Sequence, residues 1–247
     1  MDLQFLLEYE QFELRHWWHV ARRRIITGFF DRYIPNYSSN SPRWLDVGCG
    51  TGVMLNDYQR ITDKIGLEAD ANCVKRAQSK GLNVLQTGLE WNLEPYGQFD
   101  LISLCDVIEH VEHEQPAIKA VYDALKPGGI LLVTVPALQS LWSSHDVINH
   151  HFRRYNRKQL LALFDHRQWD VLKCSYFCSF LLPMIWTFRK LKNFRERNST
   201  TPPTHDNHFG LRWLDAILYA IFRSEAGFLR HVNLPPGSSI ILVVCKK

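Results

Sequence analysis

The spacing of apolar residues divides the chain into a helical start, a strand–helix centre and a less regular end. Apolar side chains recur at roughly helical spacing over residues 3–34, and Pro35 marks the end of that stretch. A polar linker occupies residues 36–42. The pattern then predicts strands at 43–47, 64–68, 82–86, 99–104 and 130–135, with helices near 52–60, 71–79 and 115–125 between them.

The rest of the chain adds two strands separated by a long insert. Asn156 begins a segment with capping-box spacing, which predicts a helix over 157–164. Strands are predicted at 169–177 and 239–245. Because strands that alternate with helices form parallel sheets, the sequence predicts an α/β, Rossmann-like sheet of seven strands. We expect three units: an N-terminal helical lid at 1–35, a sheet domain at 43–177 and 238–247, and a helical insert at 178–237.

Composition narrows the classes of partner. The formal net charge is +4, and the basic residues are dispersed without a basic stripe that interleaves aromatics. We therefore expect no nucleic-acid partner. The six cysteines lack zinc spacing, and no apolar core of a signal peptide is visible near the N-terminus. A cytoplasmic protein with reduced thiols is the resulting expectation.

The insert at 178–237 is rich in aromatic residues. The apolar run Phe177–Phe188 is shorter than the ~20 residues that span a bilayer. Basic residues follow it and would suit a peripheral contact with an anionic surface at the inner face of the membrane: Arg189, Lys190, Lys192, Arg195 and Arg197. A loop at 198–208 and a helix at 211–222 are predicted next. We interpret the insert as a lid over a lipophilic acceptor; packing on the sheet or on a second subunit is the alternative, and the oligomeric state is left open.

A glycine-rich turn follows the first strand. Gly48, Gly50 and Gly52 follow the apolar strand, and glycine lets the backbone approach a ligand closely. A dinucleotide fingerprint would place its third glycine at position 53, which is Val53. Glu68 ends the second strand, where a carboxylate can accept hydrogen bonds from both ribose hydroxyls. Together these features favour a nucleoside ligand that lacks a pyrophosphate.

These motifs resemble those of the class I S-adenosylmethionine (SAM)-dependent methyltransferases. The segments Leu45–Gly52, Phe99–Leu104 and Leu125–Gly129 are similar to the family's first, fourth-strand and pre-fifth-strand motifs. The resemblance implies a sheet whose last strand is antiparallel, SAM as cofactor and S-adenosylhomocysteine as product. It also implies these cofactor contacts: Trp17, Arg22, Asp46, Gly48, Gly50, Gly52, Glu68, Ala69, Leu89, Glu90, Cys105 and Asp106.

Two of these expectations concern the ends of the cofactor. Family members often place an Asp after the third strand to hold the adenine amine, but here the position is Leu89. We expect the Leu89 backbone, with Glu90 or Trp91, to meet the ring. The helix that contains Trp17 and Arg22 resembles one found in a bacterial small-molecule branch of the family. That resemblance implies a lid whose arginine meets the methionine carboxylate.

The fourth strand leads into a segment with several polar groups. Asp106, Glu109 and His110 have the spacing of the metal-binding residues in ubiquinone-biosynthesis O-methyltransferases, which the segment resembles. A divalent ion there could acidify an acceptor hydroxyl. The other interpretation is that Glu109 and His110 only order the loop, as in metal-free relatives. We predict no metal, with Asp106, Glu109 and His110 as the alternative set.

The loop after the fifth strand offers candidate bases. His145 and Asp146 precede His150, and a histidine paired with a carboxylate suits proton abstraction near neutral pH. We predict His145 as the general base, His150 as the second choice, Asp146 as the orienting acid and His110 as a further catalytic residue. Arg153 and Arg154 could instead bind an acidic group, or His150 and Arg154 could be scaffold that holds the loop to the sheet.

The predicted function is transfer of a methyl group from SAM to a small acceptor. The acceptor would be lipophilic or aromatic and would react through oxygen or nitrogen, or through carbon. Two alternatives stay open: a methyltransferase that modifies a peptide or protein in a natural-product pathway, and a SAM-binding module without catalysis. The polar loop after the fourth strand favours the enzyme, because a pure binding module has little need of those groups.

Overall fold

The computed structural model describes residues 3–34, 42–88, 91–197 and 212–247. Its strands are β1 (Arg43–Val47), β2 (Asp63–Glu68), β3 (Val84–Gln86), β4 (Phe99–Cys105), β5 (Leu125–Pro136), β6 (Trp169–Phe177) and β7 (Ser239–Lys246). Its helices are α1 (Leu3–Arg15), α2 (Trp17–Tyr33), α3 (Val53–Asp57), α4 (Ala71–Ser79), α5 (Glu114–Ala124), α6 (Ser144–Ile148), α7 (Arg157–Leu161), α8 (Leu182–Arg197) and α9 (Arg212–Leu229).

All seven strands belong to one sheet in the order β3-β2-β1-β4-β5-β7-β6. Strand β7 pairs antiparallel with both β5 and β6, whereas the pairs among β1 to β5 are parallel. The seven-stranded Rossmann-like sheet and its antiparallel last strand are therefore confirmed. The strand order reverses between β1 and β4, and in open α/β sheets such a reversal opens a crevice at the carboxyl ends of the strands.

A hydrophobic core covers each face of the sheet. On one face, α2 and α9 pack together and against the sheet, with Trp17 meeting Phe222 edge to face at 6.2 Å between ring centroids. On the other face, α5 and α7 pack through Val121 and Leu160, both fully buried. The sheet is thus buried on both sides, which directs any ligand to its carboxyl edge.

The structure differs from the sequence prediction at both ends of the chain. The stretch 3–34 forms two helices, because His16 adopts an extended backbone (φ −67, ψ 131) between them. Helix α8 continues well past Phe188, and Pro183 lies in its first turn, where proline is tolerated. The loop predicted at 198–208 lies outside the described residues. Among the residues that are described, no helix is long and apolar enough to cross a membrane.

Candidate cofactor and acceptor site

The turn after β1 contains three glycines, of which two are closely packed against side chains and one borders open space. Gly48, Gly50 and Gly52 all have positive φ, at 72, 57 and 75. A Cβ on Gly48 would lie 2.7 Å from Val107, and one on Gly52 would lie 2.5 Å from Leu82. A Cβ on Gly50 would meet nothing within 4 Å. Gly50 therefore borders open space at the crevice, as a ligand-facing position requires.

Glu68 faces the same turn from the end of β2. Its Oε2 accepts a hydrogen bond from the Gly50 amide at 2.8 Å, and its Oε1 accepts one from the Asp70 amide at 2.9 Å. Each carboxylate oxygen has further acceptor capacity, so the half-buried side chain suits two ribose hydroxyls. Ala69 follows directly, and its carbonyl accepts from Gln86 at 3.2 Å.

Asp46 lies beneath the turn in the interior of the sheet. Its Oδ1 accepts from Ser103 Oγ at 2.5 Å, and Ser103 Oγ accepts from Trp44 Nε1 at 2.8 Å. Burial raises the pKa of Asp46 to about 7. These bonds tie β1 to β4 at the point where the crevice opens. The side chain is 2% exposed, so Asp46 supports the turn from within the core.

Helix α2 reaches the crevice through Arg22. The guanidinium binds Asp106 at 2.7 Å and also donates to Thr134 on β5. Arg22 Nε and Trp17 Nε1 are buried donors with no hydrogen-bond partner among the described residues. An orphaned guanidinium donor at the end of β4 fits an anionic group such as a carboxylate. Asp106, next to Cys105, has φ 58, a strained conformation for a non-glycine residue that is common at functional sites.

The adenine end of the predicted site is not described, because Leu89 and Glu90 fall outside the described residues. Their assignment as adenine contacts stays a prediction. Trp91 is described and also has a positive φ of 51.

The loop after β4 contains a buried carboxyl group. Glu109 is fully buried, and neither of its carboxyl oxygens has a hydrogen-bond partner in the part of the chain that is described. Burial, together with the charge of Asp106, raises the pKa of Glu109 well above its ordinary value. Burial and the nearby His151 lower the pKa of His110. At neutral pH the His110 side chain is therefore uncharged, and burial favours the protonated form of Glu109.

Three side chains that could bind a metal ion lie close together beside the loop after β4. One atom each from Glu109, His110 and His151 lies within 4.8 Å of the others, an arrangement that could hold a metal ion. The set differs from the predicted alternative, because it contains His151 in place of Asp106. The Asp106 carboxylate is engaged by Arg22 and accepts from Thr134 at 3.2 Å. The Asp106 carboxylate is thus already paired with the positive charge of Arg22 and is not among the side chains that could hold a cation.

The loop after β5 is organised around Asp146, which is fully buried. Its oxygens accept from the Ser143 amide at 2.9 Å and from Arg154 Nε at 2.8 Å, and Oδ1 lies 2.9 Å from His151 Nδ1. Burial alone would raise the pKa of Asp146, but the His151 hydrogen bond and the Arg154 charge outweigh it and hold the pKa well below its usual range.

This pairing differs from the arrangement that the sequence suggested, and the assignment of the base stays a prediction. The histidine hydrogen-bonded to Asp146 is His151, which was not among the predicted catalytic residues. His145 lies in α6, with its ring centroid 6.3 Å from that of His151. His150 is exposed and has φ 55 in the turn after α6. The Phe152 amide donates to the Glu109 carbonyl at 2.8 Å, which brings His151 to the loop after β4.

The N-terminal helices add aromatic groups that the sequence analysis missed. His19 lies edge-on to Tyr9 and Trp18, with ring centroids 6.3 and 4.8 Å away. Burial and the charge of Arg22 lower the pKa of His19 to about 3, and the charge of His145 contributes. The bond from Arg22 to Thr134 on β5 places α2 next to the end of that strand. The signal available in the sequence was the spacing of Arg22 and His19, which are three residues apart and so share a helix face.

The sheet order, the open glycine turn and the carboxylate at the end of β2 define a nucleoside-binding Rossmann-like site, and the comparisons with known proteins identify its class. A protein family described as "Methyltransferase domain" matches residues 17–173. The chain therefore belongs to the methyltransferase-domain family. The residues described above fit SAM at the ribose and at the methionine carboxylate.

The curated relatives include ubiquinone biosynthesis O-methyltransferases. The mitochondrial enzyme of Dictyostelium discoideum is 31% identical over 108 residues, covering 36% of this chain and 34% of that protein. The enzyme of Shewanella pealeana is 33% identical over 96 residues, covering 34% of this chain and 39% of that protein. The matched segment therefore spans well under half of either relative.

Solved structures confirm the fold at low sequence identity. The plantazolicin methyltransferase BpumL, in complex with a triazolic desmethylPZN analogue and S-adenosylhomocysteine, has a TM-score of 0.60 at 13% identity, covering 97% of this chain and 89% of that one. A SAM-dependent methyltransferase from Archaeoglobus fulgidus has a TM-score of 0.55 at 18% identity, covering 91% and 94%. The [4+2]-cyclase SpnF has a TM-score of 0.57 at 21% identity, covering 93% and 83%.

Glu68→Ala is expected to weaken S-adenosylhomocysteine binding by about 1.5–3 kcal/mol, or roughly ten- to a hundredfold. The reason is the loss of charge-assisted hydrogen bonds to the ribose, together with loss of the acceptor for the Gly50 amide. Isothermal titration calorimetry measures the change. Asp63→Ala, at the other end of β2, is the control and should keep the affinity. Unchanged affinity in a folded Glu68→Ala protein would contradict the ribose assignment.

Proposed function

We propose that the enzyme methylates a hydroxyl or amino group of a small lipophilic or aromatic acceptor, with His151 as the general base. The observation that carries the proposal is the bond between His151 Nδ1 and the buried Asp146 carboxylate, 2.9 Å long. Methyl transfer to oxygen or nitrogen requires loss of a proton, and a histidine held by a carboxylate is suited to accept it. SAM, when bound, supplies the electrophilic methyl group.

The Asp146 network supports a positioning role for that acid. With both oxygens engaged by Ser143, Arg154 and His151, the carboxylate holds the imidazole by its Nδ1 and leaves Nε2 for the acceptor. Because Asp146 is fully buried, it acts through His151 without touching the acceptor.

The surroundings of His151 favour an uncharged, lipophilic acceptor. His110 lies edge-on to His151 at 4.7 Å between ring centroids, and burial keeps His110 in its neutral form. Arg189 of α8 donates to the Leu141 carbonyl at 2.7 Å, so the insert adjoins the acceptor loop. We propose that 178–237 acts as the lid of the acceptor site and 1–35 as the lid of the cofactor. The ubiquinone-biosynthesis relatives, whose name specifies O-methylation, agree with an oxygen acceptor.

The test uses SAM with a deuterated methyl group and a panel of acceptors. Catechols, simple phenols, aromatic amines and a short peptide are each incubated with the enzyme, and mass spectrometry locates the label. We expect a labelled methyl on phenolic or amino groups of the lipophilic compounds. Labelling of the peptide alone would favour the second candidate, a peptide-modifying enzyme. That candidate draws on BpumL, whose structure contains a desmethylPZN analogue.

EDTA is expected to leave most activity intact. Asp106 of the predicted set is paired with Arg22 at 2.7 Å. His151 of the observed set has its Nδ1 on Asp146, and its other ring nitrogen cannot bind a metal ion and also accept the proton of the acceptor. Were an ion bound, Glu109, His110 and His151 would hold it, and it would act as a Lewis acid on the acceptor hydroxyl. The measurement is initial rate with EDTA and after addition of magnesium. Loss of activity that magnesium restores and that Glu109→Ala mimics would contradict the base mechanism.

A further inference from the structure

Helix α9 has an apolar face that the rest of the described chain leaves exposed. Its inner face packs on α2 through Leu218 and Phe222, which are nearly fully buried. On its outer face, large apolar side chains recur at helical spacing and are exposed to solvent: Trp213 is 64% exposed, Ile217 48% and Phe228 54%. Helices on the surface of a soluble domain normally place polar residues there, so an apolar outer face marks an interaction site.

The outer face of α9 is free of acidic side chains. Between the large apolar residues lie Ala216, Ala220 and Arg223, all exposed. The two acids of the helix lie elsewhere, since Asp215 is half-buried and Glu225 is fully buried and accepts from the Phe180 amide at 2.7 Å. Helices that lie in a membrane interface combine large apolar residues on one face with basic residues beside it, and Arg223 borders the apolar face of α9 in this way.

The surface continues onto the start of the insert. Phe180 is 44% exposed and meets Phe228 edge to face at 5.9 Å between ring centroids. Helix α8 follows two residues later and exposes Trp186 and Leu191. Lys190 lies over the Trp186 ring, with Nζ 5.6 Å from its centroid. Tryptophan and lysine side by side are typical of the headgroup level of a bilayer, where both have an apolar body and a polar tip.

The charge distribution identifies the partner. Residues 178–237 contain eight Lys or Arg and four Asp or Glu, and the whole chain has a formal net charge of +4. The insert therefore carries the full positive excess, and the rest of the chain is neutral. On α8 and α9, the exposed charged side chains that the structure describes are Lys190 and Arg223, and both are basic. Anionic lipids attract a surface of that charge, whereas a second copy of the same face would repel it.

We propose that the outer face of α9, together with Phe180 and the exposed side of α8, docks peripherally on an anionic lipid bilayer. The same helix α8 contacts the acceptor loop, because Arg189 donates to the Leu141 carbonyl. Docking would therefore place the acceptor loop next to the bilayer. The docking surface itself does not depend on which acceptor is methylated.

Vesicle flotation of the full chain tests the proposal. The probes are vesicles of phosphatidylcholine alone and of phosphatidylcholine mixed with phosphatidylglycerol. We expect the protein to float with the mixed vesicles at low salt, to bind neutral vesicles roughly tenfold less or weaker still, and to be released at high salt. Equal binding to both compositions, or binding to neither, would overturn the proposal.

Variants assign the binding to this face. Trp213→Ser with Ile217→Ser is expected to reduce flotation by roughly tenfold or more. Val171→Ser on β6, where the side chain is 50% exposed, is the matched control and should float normally. Each variant should retain S-adenosylhomocysteine binding, which shows that it is folded. If the double variant floats like the control, or if it dissociates a dimer seen by analytical ultracentrifugation of the parent, the face does not dock on lipid.

Discussion

Gly50→Val is expected to abolish measurable S-adenosylhomocysteine binding, with a loss of at least about a hundredfold, while the sheet stays folded. A Cβ at Gly50 would meet no protein atom within 4 Å, so the valine side chain would project into the space where the cofactor binds. The positive φ of 57 adds strain for a β-branched residue, of the order of 1–3 kcal/mol. Calorimetric titration measures the binding, and circular dichroism reports the fold.

Gly128→Val is the control that distinguishes backbone strain from obstruction of the cofactor site. Gly128 also has a positive φ, at 75, and a Cβ there would likewise meet nothing within 4 Å. It lies in the turn region of β5 and not at the crevice. We expect Gly128→Val to lower the melting temperature to a similar degree and to keep the affinity for S-adenosylhomocysteine. If Gly50→Val binds as well as Gly128→Val, the cofactor does not lie at this turn.

His151→Ala is expected to lower kcat by about 10²–10⁴-fold, the usual contribution of a general base. S-adenosylhomocysteine affinity should change little, because the cofactor contacts described above lie on the β1 turn, on β2 and on α2. Asp146 keeps its bonds to Arg154 and to the Ser143 amide in this variant, so the loop should remain in place. The measurement is a rate at saturating SAM beside a separate binding titration.

The neighbouring histidines serve as controls for that variant. His150→Ala should turn over nearly normally, because His150 is exposed. His145→Ala tests the base that the sequence favoured. A large loss in His145→Ala with a normal rate in His151→Ala would restore the original assignment. Normal rates in both would mean that solvent removes the proton and that catalysis rests on proximity.

The central sheet could be predicted from the sequence because its signals are local. The predicted ranges for β1, α4 and β6 coincide with the observed elements. Pro42 and Gly48 bound β1, and Asp70 caps the start of α4, so both are marked by local signals. The glycine turn and Glu68 were recognisable for the same reason: a strand end, a turn and a carboxylate at fixed spacing need no long-range contact. The class of enzyme followed from those residues.

The pairing of side chains at the proposed acceptor site depends on tertiary contacts, which patterns of neighbouring residues do not predict. Asp146 is adjacent to His145 in the chain, yet the loop after α6 folds so that His151, five residues away, lies on its carboxylate. The break between α1 and α2 at His16 likewise has no proline or glycine to mark it.

The sequence by itself determined the seven-stranded sheet, the SAM-binding turn and the class of reaction, because periodicity and turn chemistry act over a few residues. Only the tertiary structure decided the arrangement at the proposed acceptor site. Arg22 and Asp106 are far apart in the chain and form an ion pair only because α2 crosses the end of β4. Glu109 and His151 meet only because the loops after β4 and β5 share one edge of the sheet. Such pairings come from packing between distant segments, and burial then changes the charge state of the groups involved.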